Sequence, residues 1–94
     1  MRIDGLVWLD DILHKLWVKH HVDQDEAEEV FFNHPRFWFV ENGDREGEDV
    51  YAATGQTDAG RYLIVFFIYK TDRTALILSA RDMESKERKR HGRK

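Results

Sequence analysis

Two different periods of apolar residues run along this chain, and the change falls at Pro35. Before it, Leu9, Ile12, Leu13, Leu16 and Trp17 recur at helical spacing and predict one apolar helix face. Asp10 and Asp11 favour a helix start there, because carboxylates interact well with the positive end of the helix dipole. This helix is expected to stop near His20–His21. A second begins at Asp23, which forms a capping-box pattern with Glu26, and it presents Ala27, Val30 and Phe31 as a buried stripe. Asn33-His34-Pro35 ends it, since proline disfavours helix at the preceding residue. Ahead of both helices, Ile3 to Trp8 predicts a short strand.

From Arg36 onward the period is two. Arg36 to Glu41 reads as a strand with Phe37 and Phe39 on one face and Trp38 and Val40 on the other. Strands follow over Glu48 to Gln56, Arg61 to Tyr69 and Thr74 to Arg81. Arg61 to Tyr69 is apolar on both faces, which predicts a central strand covered on both sides. The turn Asn42 to Gly47 holds two glycines, and Gly60 in the turn Thr57 to Gly60 suits a position of positive φ. Met83 to His91 predicts a short basic helix. The expected fold class is α+β: a short N-terminal strand, two helices, an antiparallel meander of about four strands, and a C-terminal basic helix. Ser79 and Arg81 share a strand face, whereas alternation alone leaves the side of Arg61 relative to them open.

A chain of 94 residues is expected to form one domain over 1–94, with a small core. Without cysteine there are no disulfides, zinc–thiolate sites or thiol nucleophiles, which fits a reducing compartment. The start is unlike a signal peptide and the longest apolar run is too short to span a bilayer, so a cytoplasmic protein is expected.

The net charge of −3 conceals a strong asymmetry. Residues 1–60 carry 14 acidic and 5 basic side chains (−9), whereas residues 61–94 carry 4 and 10 (+6). Such a division suits a basic partner for the first part and a polyanion such as nucleic acid for the second. A solvated acidic face and a basic tail would give the same numbers.

No zincin motif, P-loop or dinucleotide fingerprint is present, and the histidines are scattered, so no metal or cofactor is expected. What remains is arginine, lysine, histidine and a few carboxylates, a set able to cleave RNA. The ribose 2′-hydroxyl is its own nucleophile. The protein must accept its proton, stabilise charge on the phosphate and allow the 5′-oxygen to leave protonated. Arginine suits the second task because its fork binds two phosphate oxygens. Arg61 and Arg81 are the first candidates, beside Lys19-His20 at the end of a helix and Glu87-Arg88 in the basic segment. Each also has an ordinary role: a solvated strand end, a salt bridge, a helix C-terminal cation, a charged helix face. Phe37, Trp38 and Phe39 suit either base stacking or core packing.

Taken in order, several segments resemble the BrnT family of bacterial toxins. They are Trp8-Leu9-Asp10 (one residue longer than the family's Trp-Asp), Lys19-His20-His21-Val22, and Asp25-Glu26-Ala27-Glu28-Glu29-Val30-Phe31. Then come Gly55-Gln56-Thr57-Asp58-Ala59-Gly60-Arg61, Leu78-Ser79-Ala80-Arg81 and Glu87-Arg88-Lys89-Arg90-His91. The resemblance covers nearly the whole chain. It implies the toxin of a type II toxin–antitoxin system, an RNA endonuclease with a RelE-like fold that inhibits translation. It further implies an antitoxin partner similar to BrnA, carrying a ribbon-helix-helix DNA-binding domain, so that DNA is met only through the antitoxin. On this reading Arg61, Arg81, Lys19, His20 and Glu87 form the catalytic set, and Arg88, Lys89, Arg90 and His91 hold RNA. The alternative is a non-catalytic module of the same fold that binds RNA or an antitoxin. Three departures stand out: His21 replaces a helix-ending glycine, His91 replaces a tyrosine or similar residue, and the strand Phe37-Trp38-Phe39 is richer in aromatic residues than the family pattern. The sequence supplies no compelling general base.

Overall fold

The computed structural model describes residues 1–93. Its elements in chain order are β1 (Gly5–Val7), α1 (Asp10–His20), α2 (Gln24–Phe32), β2 (Arg36–Glu41), β3 (Val50–Gln56), β4 (Tyr62–Tyr69), β5 (Thr74–Asp82) and α3 (Ser85–Gly92). One five-stranded sheet has the order β1-β5-β4-β3-β2. Strands β2 to β5 form the expected antiparallel meander, and β1 pairs in parallel with β5, Leu6 opposite Ala75.

Local signals set the helix ends. Asp23 caps α2: its Oδ1 accepts from the Glu26 N–H at 2.8 Å, and Glu26 Oε1 accepts from the Asp23 N–H at 3.2 Å. Helix α1 closes at His21, whose backbone is left-handed (φ 51°, ψ 39°) and whose N–H donates to the Trp17 carbonyl at 3.0 Å. That reversal drops Val22 into the core, fully buried. Gly60 has φ 93° in the turn before β4, as its position suggests.

The main core lies between the sheet and α1/α2. Phe67, Leu63, Val65, Ala53 and Ile77 from the strands meet Leu16, Val22, Ala27 and Val30. Full burial of an aliphatic or Phe side chain contributes about 1.5–3 kcal/mol, so this layer supplies most of the stability. Helix α2 approaches β3 closely at Gly55, where an added Cβ would stand 3.2 Å from Val30 Cγ1 and 3.3 Å from the Val30 carbonyl oxygen. The apolar face expected of α1 is narrower than its spacing suggests. Leu16 is buried and Ile12 and Leu13 half-buried, but Leu9 and Trp17 are exposed.

A smaller cluster occupies the opposite sheet face: Ala52, Ile64 and Met83, with Trp38, Tyr62 and Phe66 around them. Strand β4 is thus covered on both sides near its start, as expected of the central strand. Among the described residues, no helix is long and apolar enough to cross a membrane.

Candidate nucleic-acid interface

The geometry of this second face turns on one extra residue in β5. Phe66 pairs with Ser79 and Phe67 with Ile77, so Leu78 is the additional residue of a β-bulge. Ala75 and Ile77 face the helices and are fully buried there. Without the bulge, Ser79 and Arg81 would follow them, because a one-residue shift reverses every later side chain. With it, Ala80 enters the core instead, and Ser79 and Arg81 emerge on the far face.

Strand register then builds two parallel rows on that face. The first runs Arg36, Thr54, Ile64, Arg81 and the second Trp38, Ala52, Phe66, Ser79. One row has an arginine at each end; the other has two aromatic rings flanking an alanine.

Helix α3 lies beside these rows and buries none of its residues fully. Polar and cation–π contacts hold it. Arg36 Nη1 donates to the His91 carbonyl at 2.6 Å, and also to the carbonyls of Arg90 and Arg93, so a cation caps the negative end of the helix. The Arg90 guanidinium stacks 3.7 Å from the centroid of the Trp38 ring, and that of Arg88 lies 4.1 Å from the Tyr62 centroid.

Arg81 is held in a two-pronged pair, donating from Nη1 and Nη2 to the Glu87 carboxylate at 2.7 and 2.9 Å. Its guanidinium also lies 5.5 Å from the Phe66 centroid. The hydrogen bonds from Arg81 hold the Glu87 carboxyl below the usual range, against a smaller opposing effect of burial. The same carboxylate accepts from the Glu84 N–H at 2.8 Å, tying the start of α3 to the end of β5.

His91 Nδ1 lies 2.7 Å from Thr54 Oγ1, which accepts from Trp38 Nε1 at 3.0 Å. Burial, then the charge of Arg36, pushes the imidazole pKa below its ordinary value. At neutral pH the ring is therefore uncharged, in the state required of a proton acceptor. Nε2 has no hydrogen-bond partner among the described residues.

The structure places Arg61 on the other side of the sheet, where its guanidinium spans four partners. Nε and Nη2 donate to Asp82 at 2.7 and 3.1 Å, Nη2 to the His20 carbonyl at 2.9 Å, and Nη1 to the His21 carbonyl at 2.8 Å and to Glu26. The hydrogen bond to Asp82, partly offset by burial and joined by Glu26, raises its pKa, and Asp82 is lowered in return. Arg61 thus fastens the α1–α2 junction to the ends of β4 and β5. The half-buried His20 meets Arg61 through its carbonyl, and Lys19 is exposed on the last turn of α1.

Of the residues singled out by sequence, Arg81, Glu87, Arg88, Arg90 and His91 come together with the sheet face, while Lys89 is exposed on α3. Arg61, Lys19 and His20 form a separate group that meets the first through Asp82, whose carbonyl accepts from Arg81 Nη1 at 3.1 Å. Thr54, Tyr62 and Arg36, which join this face, are not among the sequence candidates, and the sequence leaves Trp38 between base stacking and core packing. Their signal is a pairing register, which becomes visible only once the sheet is assembled. Among the described residues, no three His, Cys, Asp or Glu side chains are grouped as metal ligands.

The comparisons with known proteins agree with this architecture. A crystal structure at 1.1 Å resolution of the Brucella abortus ribonuclease toxin BrnT superposes with a TM-score of 0.64 at 16% identity, covering 86% of this chain and 97% of that one. At that identity the likeness establishes the fold. No curated protein matches the chain. Residues 8–87 match the family described as the ribonuclease toxin BrnT of type II toxin–antitoxin systems, and with most of its length matched the chain belongs to that family.

Proposed function

We propose that the chain is a metal-independent endoribonuclease of the cytoplasm that inhibits translation by cutting RNA, on a fold of RelE type. The observation that carries this reading is the half-buried His91, held by Thr54 beside the arginine-ended row of the sheet, with its pKa lowered by burial. His91 accepts the proton of the ribose 2′-hydroxyl. The 2′-oxygen bonds to phosphorus, the bond to the 5′-oxygen breaks, and that oxygen takes its proton from water. Arg81 stabilises the charge gathered on the phosphate, and Glu87 keeps its fork in place. Arg88, Lys89 and Arg90 grip the flanking RNA backbone. Arg61, Lys19 and His20 belong to the supporting frame and to the positive rim at the strand ends.

Membership of a type II system supplies the partner class, an antitoxin. We infer a BrnA-like protein with a ribbon-helix-helix DNA-binding domain, whose basic segment docks against the acidic α1/α2 side. Cleavage is tested with total RNA in EDTA. The unmodified protein is expected to cut, and His91→Ala and Arg81→Ala, each folded by circular dichroism, to lose about 100-fold or more. Intact RNA at high protein concentration would replace this reading with a non-catalytic binding module.

A further inference from the structure

The row Trp38, Ala52, Phe66 has a property that phosphate chemistry does not use. Trp38 and Phe66 are cross-strand partners of the same alanine, on either side of it. Two strand spacings separate them, about 9.5 Å at 4.7–4.9 Å each. Between two aromatic rings at that spacing, a small residue leaves room for a groove above the Ala52, Ile64 and Met83 cluster. The space is present: a groove of about 270 Å³ is lined by Trp38, Ala52, Phe66, Ile64, Glu87 and Arg90, among others. A cavity of about 150 Å³ is enough to admit a benzene ring, so this groove has room for one flat heterocycle.

Its walls suit such a guest. The Trp38 indole is fixed through Nε1 to Thr54 at 3.0 Å, so it is oriented before anything binds. Arg90 stacks its planar guanidinium on that indole, and Phe66 forms the facing side. The arginine-ended row lies two residues along the strands, about 6.7 Å away. Aromatic platforms beside a basic track are the combination that holds single-stranded nucleic acid, because every base has a stacking face.

We propose that this groove is a nucleobase subsite: one unpaired RNA base enters over Ala52, between Phe66 and the Arg90–Trp38 stack, and sets which phosphate reaches Arg81 and His91. The subsite rests on the RNA-binding part of the proposed function and does not require that the chain cut RNA.

The test uses short 2′-deoxy oligonucleotides, which lack the nucleophile and cannot be cleaved, with the central nucleotide either intact or abasic. With Trp8→Phe and Trp17→Phe in place, Trp38 is the sole indole reporter. The intact oligomer is expected to quench Trp38 saturably and to bind about tenfold more tightly than the abasic one, in line with typical base–aromatic stacking. Ala52→Leu, which fills the slot, is expected to remove that difference while the abasic oligomer binds as before. Phe66→Leu is the second probe should Ala52→Leu fail to fold, and is expected to reduce the difference. Equal affinity for both oligomers, or a difference unchanged by slot filling, overturns the subsite and shows the groove to be a surface for other contacts, such as a protein side chain. If the oligomers behave as expected but RNA stays intact, the subsite stands and the nuclease reading falls.

Discussion

Thr54 Oγ1 lies 2.7 Å from His91 Nδ1, joining the middle of the sheet to the last turn of a helix 37 residues later. The hydroxyl has the Trp38 indole N–H as a second partner, so a buried threonine orients both a candidate base and an aromatic platform. Thr54→Val keeps the shape and removes the acceptor. We predict that it lowers stability by about 1–2 kcal/mol, since Trp38 Nε1 is left without its partner. Its larger expected effect is on RNA cleavage, because the imidazole is no longer held. Thermal unfolding and a cleavage assay on one preparation separate the two.

The pH dependence of α3 docking follows from the direction of the His91 shift. Its folded pKa is lowered by burial and then by Arg36, so the unfolded chain binds the proton more readily. The associated stability is therefore complete above the ordinary histidine range and is lost as pH falls through the lowered folded value. Below that point an imidazolium beside Arg36 loosens the helix. Cleavage is expected to decline on the same acidic limb. A pH titration of Tm should show this step in the unmodified protein and a smaller one in His91→Gln; identical profiles would remove His91 as its origin.

Arg61 and Arg81 are expected to separate stability from activity. Arg61→Ala leaves Asp82, Glu26 and two carbonyls without their donor. The site is partly exposed, so the expected loss is about 2 kcal/mol rather than the 3–5 of a fully buried pair. For a domain this size, that is a fall in Tm of about 10 °C. Arg61→Lys should not restore it, because one ammonium cannot reproduce the planar fork. Arg81→Ala should unfold closer to the unmodified protein and lose cleavage. Calorimetry on all three variants, with activity measured well below Tm, decides it.

These two arginines also show where the sequence stopped being informative. Signals confined to a few residues were readable: the Asp23–Glu26 capping box, the positive φ of Gly60, the period-two strands from Arg36 onward. The side of the sheet taken by Arg81 was not. It depends on the Leu78 bulge, which appears in the pairing of β5 with β4 and not in the spacing of β5 itself. The parallel pairing of β1 with β5 joins segments almost seventy residues apart and leaves no local trace either. The candidate cations are legible as a group because arginines near strand ends and a basic helix are visible in one dimension. Their division between two faces is a property of register.

His21 allows a prediction in the opposite direction. It holds φ 51°, ψ 39°, a left-handed conformation that glycine adopts without strain. The left-handed region costs a non-glycine residue about 1–2 kcal/mol, and glycine gives back roughly 0.5–1 through the greater freedom of the unfolded chain. His21→Gly should therefore stabilise the protein by about 0.5–1 kcal/mol, less whatever the edge-on contact of His21 with Trp17 contributes at 5.5 Å. Its N–H bond to the Trp17 carbonyl is a backbone bond and survives the change. Because His21 also gives its carbonyl to Arg61, relaxing this turn tests whether Arg61 relies on a strained junction. If it does, His21→Gly and Arg61→Ala will not be additive, and a double-mutant cycle in urea will show a coupling above about 0.5 kcal/mol. If the two effects simply add, the junction is rigid without the latch, and the α1–α2 turn is set by Val22 in the core.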